Sequence, residues 1–415
     1  MRLRHLFRLF LVGIIIFTLP SCSKDKDEPA AITTPQTLLF YFVGTDLDLR
    51  GGHLRNNRKA IKAALNYNIQ GNSRVILFHQ NGQKKQGDIV EMQYEDGLCE
   101  ETVLATVTLP EQMNATELGN IFSQMMQFAP ADSYSLIIGS HGKGWIPIGA
   151  EPESRVAVMG KEGKMHLLTH EELWQQDGDV VTRFLGDDNN PENNFNVTTL
   201  AQAIASTGKK MEYILFDACF MSNIETIYEL RNSANYIIAS PCEIMGRGFP
   251  YERTLPHLFK DNGTCTDYAA AAESYYIYYR DEYFSSSRCG SVAVYDCSEI
   301  DALQEATKEV IKSATEDYDD TQLQTYEGQP QHYFYDFGEW VNVVATDSAA
   351  LQNFNTQLTK TVIAKYTIDT FYTMYGYTTL PINIDVYSGV TTSAPSKALN
   401  TLWRETMWYK SIWEL

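Results

Sequence analysis

The sequence predicts a three-layer α/β/α sandwich built on a mostly parallel central sheet. Two observations carry that prediction: short apolar, β-prone runs recur through the first half of the chain, and amphipathic helical segments separate them. Runs that are apolar on both faces suit the inner strands of a sheet covered on both sides. Regular strand–helix alternation supplies the covering layers. A third observation, a change of texture after residue 264, predicts a helical and strand C-terminal region appended to this core.

The expected strands are 38–44 (LLFYFVG), 74–78 (RVILF), 134–139 (YSLIIG), 213–216 (YILF) and 236–240 (YIIAS). Helical spacing covers 57–64, 115–128, 198–205 and 223–231. Asn114 and Asn196 stand where N-caps belong, and Ser222 with Glu225 has the form of a capping box that starts a helix near Asn223. Beyond 264 the pattern predicts a tyrosine-rich helix over 269–284, a strand over 291–295, and helices over 299–312 and 351–366. Trp403, Trp408 and Trp413 read as packing that pins the terminus to the body.

Arg2, Arg4 and Arg8 precede an apolar stretch over 9–17, and Leu19-Pro20-Ser21-Cys22 closes it, the form of a secretory leader. The stretch is shorter than the about 20 residues a membrane span requires. The closing tetrad resembles the lipobox of bacterial lipoproteins, which implies lipid attachment at Cys22. The charged run over 23–28 resembles an acidic export signal, which implies an outer-membrane or cell-surface location. The expected anatomy is a leader over 1–21, a tether over 22–37, a core over 38–300 and a C-terminal region over 301–415. A net charge of −19 at pH 7 argues against nucleic-acid binding and against electrostatic adhesion to membranes. The expectation is a monomer that meets the membrane only through its lipid.

Seven cysteines include no CxxC pair and no metal-type spacing, so no metal site is expected. A chain of this size needs no disulfide framework, and pairing of Cys289 with Cys297 is left open. The acidic, Asn-rich run over 186–194 reads as a loop. It lacks the alternate ligands around a central glycine that a dedicated calcium loop shows. No cofactor is expected, with a calcium requirement left open.

Two segments carry chemistry. Ser140-His141-Gly142 ends one apolar run and Asp217-Ala218-Cys219 ends another. Strand ends are where open α/β sheets expose functional groups, and a thiol with an imidazole is the minimum kit for nucleophilic acyl transfer. Cys219 falls between a strand end and a helix N-terminus, where unpaired N–H groups and the helix dipole favour a thiolate. His79 also ends a strand. His141 differs in preceding Gly142, which lets a backbone N–H approach a ligand closely, as an oxyanion donor must.

Taken in order, these segments resemble the clostripain family of cysteine peptidases, of the caspase-like clan. Ala239-Ser240-Pro241, Gly248-Phe249-Pro250-Tyr251 and the Val43-Gly44-Thr45-Asp46 loop extend the resemblance over about 38–256. It continues more weakly through 380–386 and the Trp-rich end. The resemblance implies a caspase-like sandwich acting on protein or peptide. It makes Cys219 the nucleophile and His141 the donor to the leaving amine, with the Cys219 and Gly142 N–H groups holding the oxyanion. It implies an acidic pocket for Arg or Lys that Asp217 and Ser240 line. At the second acidic wall the sequence departs from the family pattern: Glu243 is the candidate second carboxylate and Arg247 an opposing charge. The resemblance further implies self-cleavage between His141 and Cys219, with Arg155, Lys161, Lys164 and Arg183 as candidate sites. Two alternatives remain at this point: a catalytically silent surface lipoprotein that binds peptide or glycan, and peptide ligation through the same thioester.

Overall fold

The apolar runs become β1 (Thr34–Phe42) and β2 (Arg74–Gln80), a hairpin adds β3 (Gln86–Glu95) and β4 (Leu98–Thr108), and β5 (Ala131–Gly139) follows. A separate hairpin pairs β6 (Arg155–Met159) with β7 (Met165–Thr169). Then come β8 (Met211–Asp217), β9 (Ala234–Ala239), β10 (Val292–Asp296), the short β11 (Tyr335–Asp336) and β12 (Val362–Tyr366). Nine of them form one sheet in the order β12-β10-β9-β8-β5-β1-β2-β3-β4. The central run from β9 to β2 is parallel throughout, and antiparallel strands extend both flanks. The computed structural model describes residues 34–44, 52–80, 85–148, 155–159, 165–169, 186, 193–260, 266–284, 288–329, 331–373 and 381–414. The leader, the charged run and Cys22 lie outside the described residues.

Helices cover both faces, as strands that are apolar on each side require. One layer holds α1 (His53–Leu65), which meets a helical turn at Tyr251–Thr254. The opposite layer begins with α2 (Ala115–Phe128), α3 (Val197–Ser206) and α4 (Ile224–Leu230), packed in series. The tyrosine-rich α5 (Tyr268–Asp281) joins the first layer. The second continues through α6 (Ile300–Ile311), α7 (Phe337–Val344), α8 (Ser348–Thr361) and α9 (Met407–Trp413). Between the layers, Leu38 to Val43, Leu136 to Ile138 and Tyr213 to Phe216 have no solvent exposure.

Several local expectations change. Asn114 caps α2, accepting from the amides of Thr116 and Glu117 at 3.0 and 3.1 Å. Asn196 precedes α3 but turns its side chain to the Ile148 amide, 3.0 Å away. The expected capping box shifts by one residue: Asn223 caps α4 through the Thr226 amide at 2.9 Å. Ser222 instead contacts the Tyr295 hydroxyl and donates to the Gly389 carbonyl.

Helix α8 ends at Thr361, and the last five residues of the expected helix form β12 against β10. Val362 and Ile363 are β-branched, and the strand alternates faces, so the sheet edge wins over helical spacing. The β3–β4 hairpin turns at Asp96-Gly97, both with positive φ (48° and 95°), the backbone a two-residue hairpin requires.

The cysteines among the described residues, Cys99, Cys219, Cys242, Cys289 and Cys297, are buried free thiols. Cys289 and Cys297 flank β10, and five strand residues at ~3.3 Å each separate them too far for a disulfide. No helix among the described residues is long and apolar enough to cross a membrane.

Of the three tryptophans, Trp403 and Trp408 pack inside, whereas Trp413 is 41% exposed and stacks on Tyr409. Trp408 meets Tyr228 and Phe337 edge-on, tying α9 to α4 and α7. Replacing so large a buried ring leaves a cavity the walls cannot fill. Trp408→Ala is expected to cost about 3–5 kcal/mol in urea denaturation, and a loss under about 1 kcal/mol would contradict this role for the terminus.

Candidate active site

The parallel register of β5 and β8 sets Gly139 opposite Asp217. Two residues further along each chain stand His141 and Cys219, so neighbouring strands deliver imidazole and thiol at the same level. His79 ends β2, which is separated from β8 by β1 and β5. Of the two strand-end histidines, only His141 sits beside the cysteine strand. His141 and Cys219 are both fully buried in the intact chain.

Gly142 is required by close approach. A Cβ there would lie 2.3 Å from the Cys219 carbonyl oxygen and 2.8 Å from its amide nitrogen, both backbone atoms that cannot yield cheaply. The His141-Gly142 turn therefore lies directly on the Cys219 backbone.

A second loop holds the thiol from the other side. The Ile244 amide donates to the Cys219 sulfur at 3.2 Å, Phe220 donates to the Cys242 carbonyl at 3.0 Å, and Ser222 donates to the Ser240 carbonyl at 3.0 Å. Ser240 also closes its own turn, its Oγ meeting the Cys242 amide at 3.2 Å. Phe220 has φ 56°, a left-handed conformation that a bulky residue adopts only under constraint. The constraint is visible: Asn223 donates to the Phe220 carbonyl at 2.6 Å, and the Phe220 ring stacks on Phe334 at 5.2 Å. Cys219 thus lies beside a strained turn, as a presented nucleophile does.

The acidic candidates are buried as well. Asp217 accepts from Asn57 Nδ2 at 2.9 Å, the Phe249 amide at 3.2 Å and the Tyr251 hydroxyl at 2.8 Å. Asn57 and Tyr251 also line a groove of about 730 Å³ that runs past His53, Gly246 and Arg247. The Asp217 carboxylate therefore lies beneath that groove's floor. Glu243 is buried and accepts from the Thr373 hydroxyl. Arg247, the opposing charge, is exposed on the groove. Asn57 has no mark in the sequence, since one asparagine on an amphipathic helix carries no signal. Arg155 opens β6 and pairs with Thr169, while Lys161, Lys164 and Arg183 fall outside the described residues.

Glu225 is a further buried carboxylate beside the site. Its Oε1 accepts from Thr392 Oγ1 at 2.8 Å, the Ser393 amide at 3.0 Å and Trp403 Nε1 at 2.8 Å, joining the helix after Cys219 to the C-terminal segment. Burial raises its pKa, partly offset by these donors.

Comparison with known proteins decides the family. The family model described as the clostripain family, Peptidase_C11, matches residues 160–392. A structure of a secreted C11 cysteine protease from Bacteroides thetaiotaomicron, "iotapain", superposes with TM-score 0.77 and 30% identity, over 92% of this chain and 100% of that one. The chain belongs to the clostripain family. It is a cysteine endopeptidase with the caspase-like α/β/α architecture. An inactive zymogen C11 protease from Parabacteroides distasonis matches at TM-score 0.72 and 26% identity, covering 92% of this chain and 98% of that one. Another secreted C11 protease from Bacteroides thetaiotaomicron, in complex with an irreversible peptide inhibitor, shares the fold at TM-score 0.72 and 24% identity, covering 91% and 98%. No curated protein sequence matches the chain significantly. The clostripain family model takes in Cys219, Ser240 and Glu243, whereas His141 precedes its match and joins the site through the β5–β8 register.

Two measurements follow. Gly142→Ala must displace the Cys219 backbone, so it is expected to lower kcat/KM on peptides more than ~10²-fold while costing about 1–3 kcal/mol of stability. Near-normal turnover would contradict the close approach. For Glu225 the folded pKa lies above the unfolded one, so the fold prefers its neutral form, and ionisation erodes stability as pH rises through the raised value. Glu225→Gln should therefore gain stability relative to the parent in urea melts as the pH rises above the ordinary glutamate range. A pH-independent difference would contradict that assignment.

Proposed function

We propose that Cys219 attacks the scissile carbonyl, with His141 taking the thiol proton and returning it to the leaving amine. A thioester to Cys219 forms as the C–N bond breaks, and water then releases the acyl half. The Cys219 and Gly142 amides hold the oxyanion. The observation that carries this reading is the register that levels the two strand ends, with the Gly142 backbone pressed on that of Cys219. The substrate is a protein or peptide, in keeping with the irreversible peptide inhibitor bound to one similar structure.

The preferred residue before the scissile bond is Arg or Lys. Asp217, beneath the groove, and Glu243, two residues after the Pro241 turn, supply the negative field, and Ser240 shapes the loop between them. A desolvated carboxylate pair discriminates strongly for a guanidinium or ammonium. Because Asp217 also holds Phe249 and Tyr251, Glu243 is the cleaner test. Glu243→Gln should reduce kcat/KM for Arg and Lys substrates at least ~10-fold while leaving neutral substrates within about twofold. An equal fall for both classes would count against a specificity role.

Self-cleavage between His141 and Cys219 opens the site. Complete burial of both residues in the intact chain supports this reading, as does the inactive zymogen among the similar structures. N-terminal sequencing of the wild type beside Cys219→Ala should find a second N-terminus within 142–218 in the wild type alone. An unprocessed wild type that turns over substrate would overturn it. We further propose a leader over 1–21 and lipid on Cys22, placing a monomeric enzyme at the outer membrane or cell surface. The dyad needs no cofactor, and a chelator should leave activity unchanged. Loss of activity that calcium restores would reverse that point.

A further inference from the structure

Residues 389–393 bond to both of the loops that follow the dyad, and one serine there touches each side. On the cysteine side, Ser222 Oγ donates to the Gly389 carbonyl at 2.8 Å, and the Thr391 amide donates to the Ser222 carbonyl at 2.9 Å. Glu225, in the first turn of α4, accepts from Thr392 Oγ1 and from the Ser393 amide. On the histidine side, Trp145 Nε1 donates to Ser393 Oγ at 2.7 Å. Trp145 stands three residues after Gly142, and both it and Ser393 are buried. The Trp145–Ser393 bond spans 248 positions of chain and closes a path from the His141-Gly142 turn to the helix that follows Cys219. Two packing features brace that path. β11 holds the segment from behind, with Asp336 opposite Thr391 and Tyr335 opposite Thr392. Phe334, just before β11, stacks on Phe220 and lies against Gly144, where a Cβ would stand 2.8 Å from the Phe220 carbonyl oxygen and 3.2 Å from the Phe334 ring.

We propose that Ser393 and Trp145 are positioning residues for peptide hydrolysis: their hydrogen bond fixes the loop after His141-Gly142 against the turn after Cys219. The inference rests on Cys219 and His141 being the dyad. Neither positioning residue touches the reacting atoms; each acts through the loop it holds. Removing the Ser393 hydroxyl strips Trp145 Nε1 of its acceptor in a buried setting, a loss the loop can recover only by shifting. Such a shift moves His141 and the Gly142 amide relative to the thiol. Proton transfer and oxyanion binding both need heavy atoms within hydrogen-bond reach, so a displacement of about 1 Å slows chemistry far more than it weakens substrate binding.

Four proteins test it: wild type, Ser393→Ala, Trp145→Phe and the double variant. In each, kcat is expressed per Cys219 titrated by a peptide electrophile ending in Arg, which corrects for incomplete self-cleavage. Each single variant should lose at least ~10-fold in kcat with KM within about twofold. The double variant should fall no further than the weaker single, because both substitutions remove the same bond. Lys397→Ala breaks an exposed pair with Asp320 just beyond the same segment, 2.7 Å long, and should leave kcat within about twofold. A folded Ser393→Ala with kcat within about twofold of wild type, losses that multiply in the double variant, or an equal fall in Lys397→Ala would overturn the proposal. Ser393→Ala removes a single oxygen, so its kcat decides the matter should Trp145→Phe fail to fold. Turnover by Cys219→Ala would instead refute the dyad reading. The bond is then judged by urea melts of the same four proteins, where it predicts a double variant that loses less stability than the two singles summed. Additive losses there would refute the bond as well.

Discussion

Everything distinctive about this molecule depends on one alignment, the parallel pairing that sets Gly139 opposite Asp217. Strand hydrogen bonds fix that register over four residue pairs, and a slip by one would turn every side chain to the opposite face. With the register fixed, His141 and Cys219 emerge level from adjacent strands. The Gly142 backbone then has nowhere to go except onto that of Cys219. The left-handed Phe220 follows from the same geometry, because the chain must leave the sheet and start α4 within a few residues.

Around that alignment, buried polar groups couple the site to distant parts of the fold. Asp217 binds α1 through Asn57 and the Phe249–Tyr251 element through two further donors. Glu225 binds the C-terminal segment through Thr392, Ser393 and Trp403. The β9 loop reaches the nucleophile turn through the Ile244 and Cys242 backbone groups. Buried groups held by several partners in this way favour one arrangement, since each unmatched alternative strands further polar atoms in an apolar core. The site is therefore a junction of both helical layers and is not a patch on one loop.

The inner sheet and its strand-end chemistry were legible because apolar runs and a Ser-His-Gly or Asp-Ala-Cys terminus are local signals. What was not legible was set by contacts distant in sequence. Ser222 satisfies a capping pattern, yet Tyr295 and Gly389 compete for its hydroxyl and Asn223 becomes the cap. Val362 to Tyr366 fits helical spacing, yet β10 offers an unpaired edge. The β3–β4 hairpin carries a turn mark in Asp96-Gly97, but its half-polar flanking strands lack the apolar runs that mark the inner sheet. Asn57 was invisible, for its importance comes entirely from meeting Asp217 across 160 positions of chain.

The central claim is that His141 and Cys219 act as one unit, and covalent labelling tests it most directly. Processed wild-type enzyme, Cys219→Ala and His141→Ala are exposed to a peptide electrophile ending in Arg, and the modified residue is located by mass spectrometry. The account predicts rapid stoichiometric modification at Cys219 in the wild type, none in Cys219→Ala, and a rate reduced at least ~10²-fold in folded His141→Ala. Labelling at another cysteine, or an undiminished rate without His141, would contradict it.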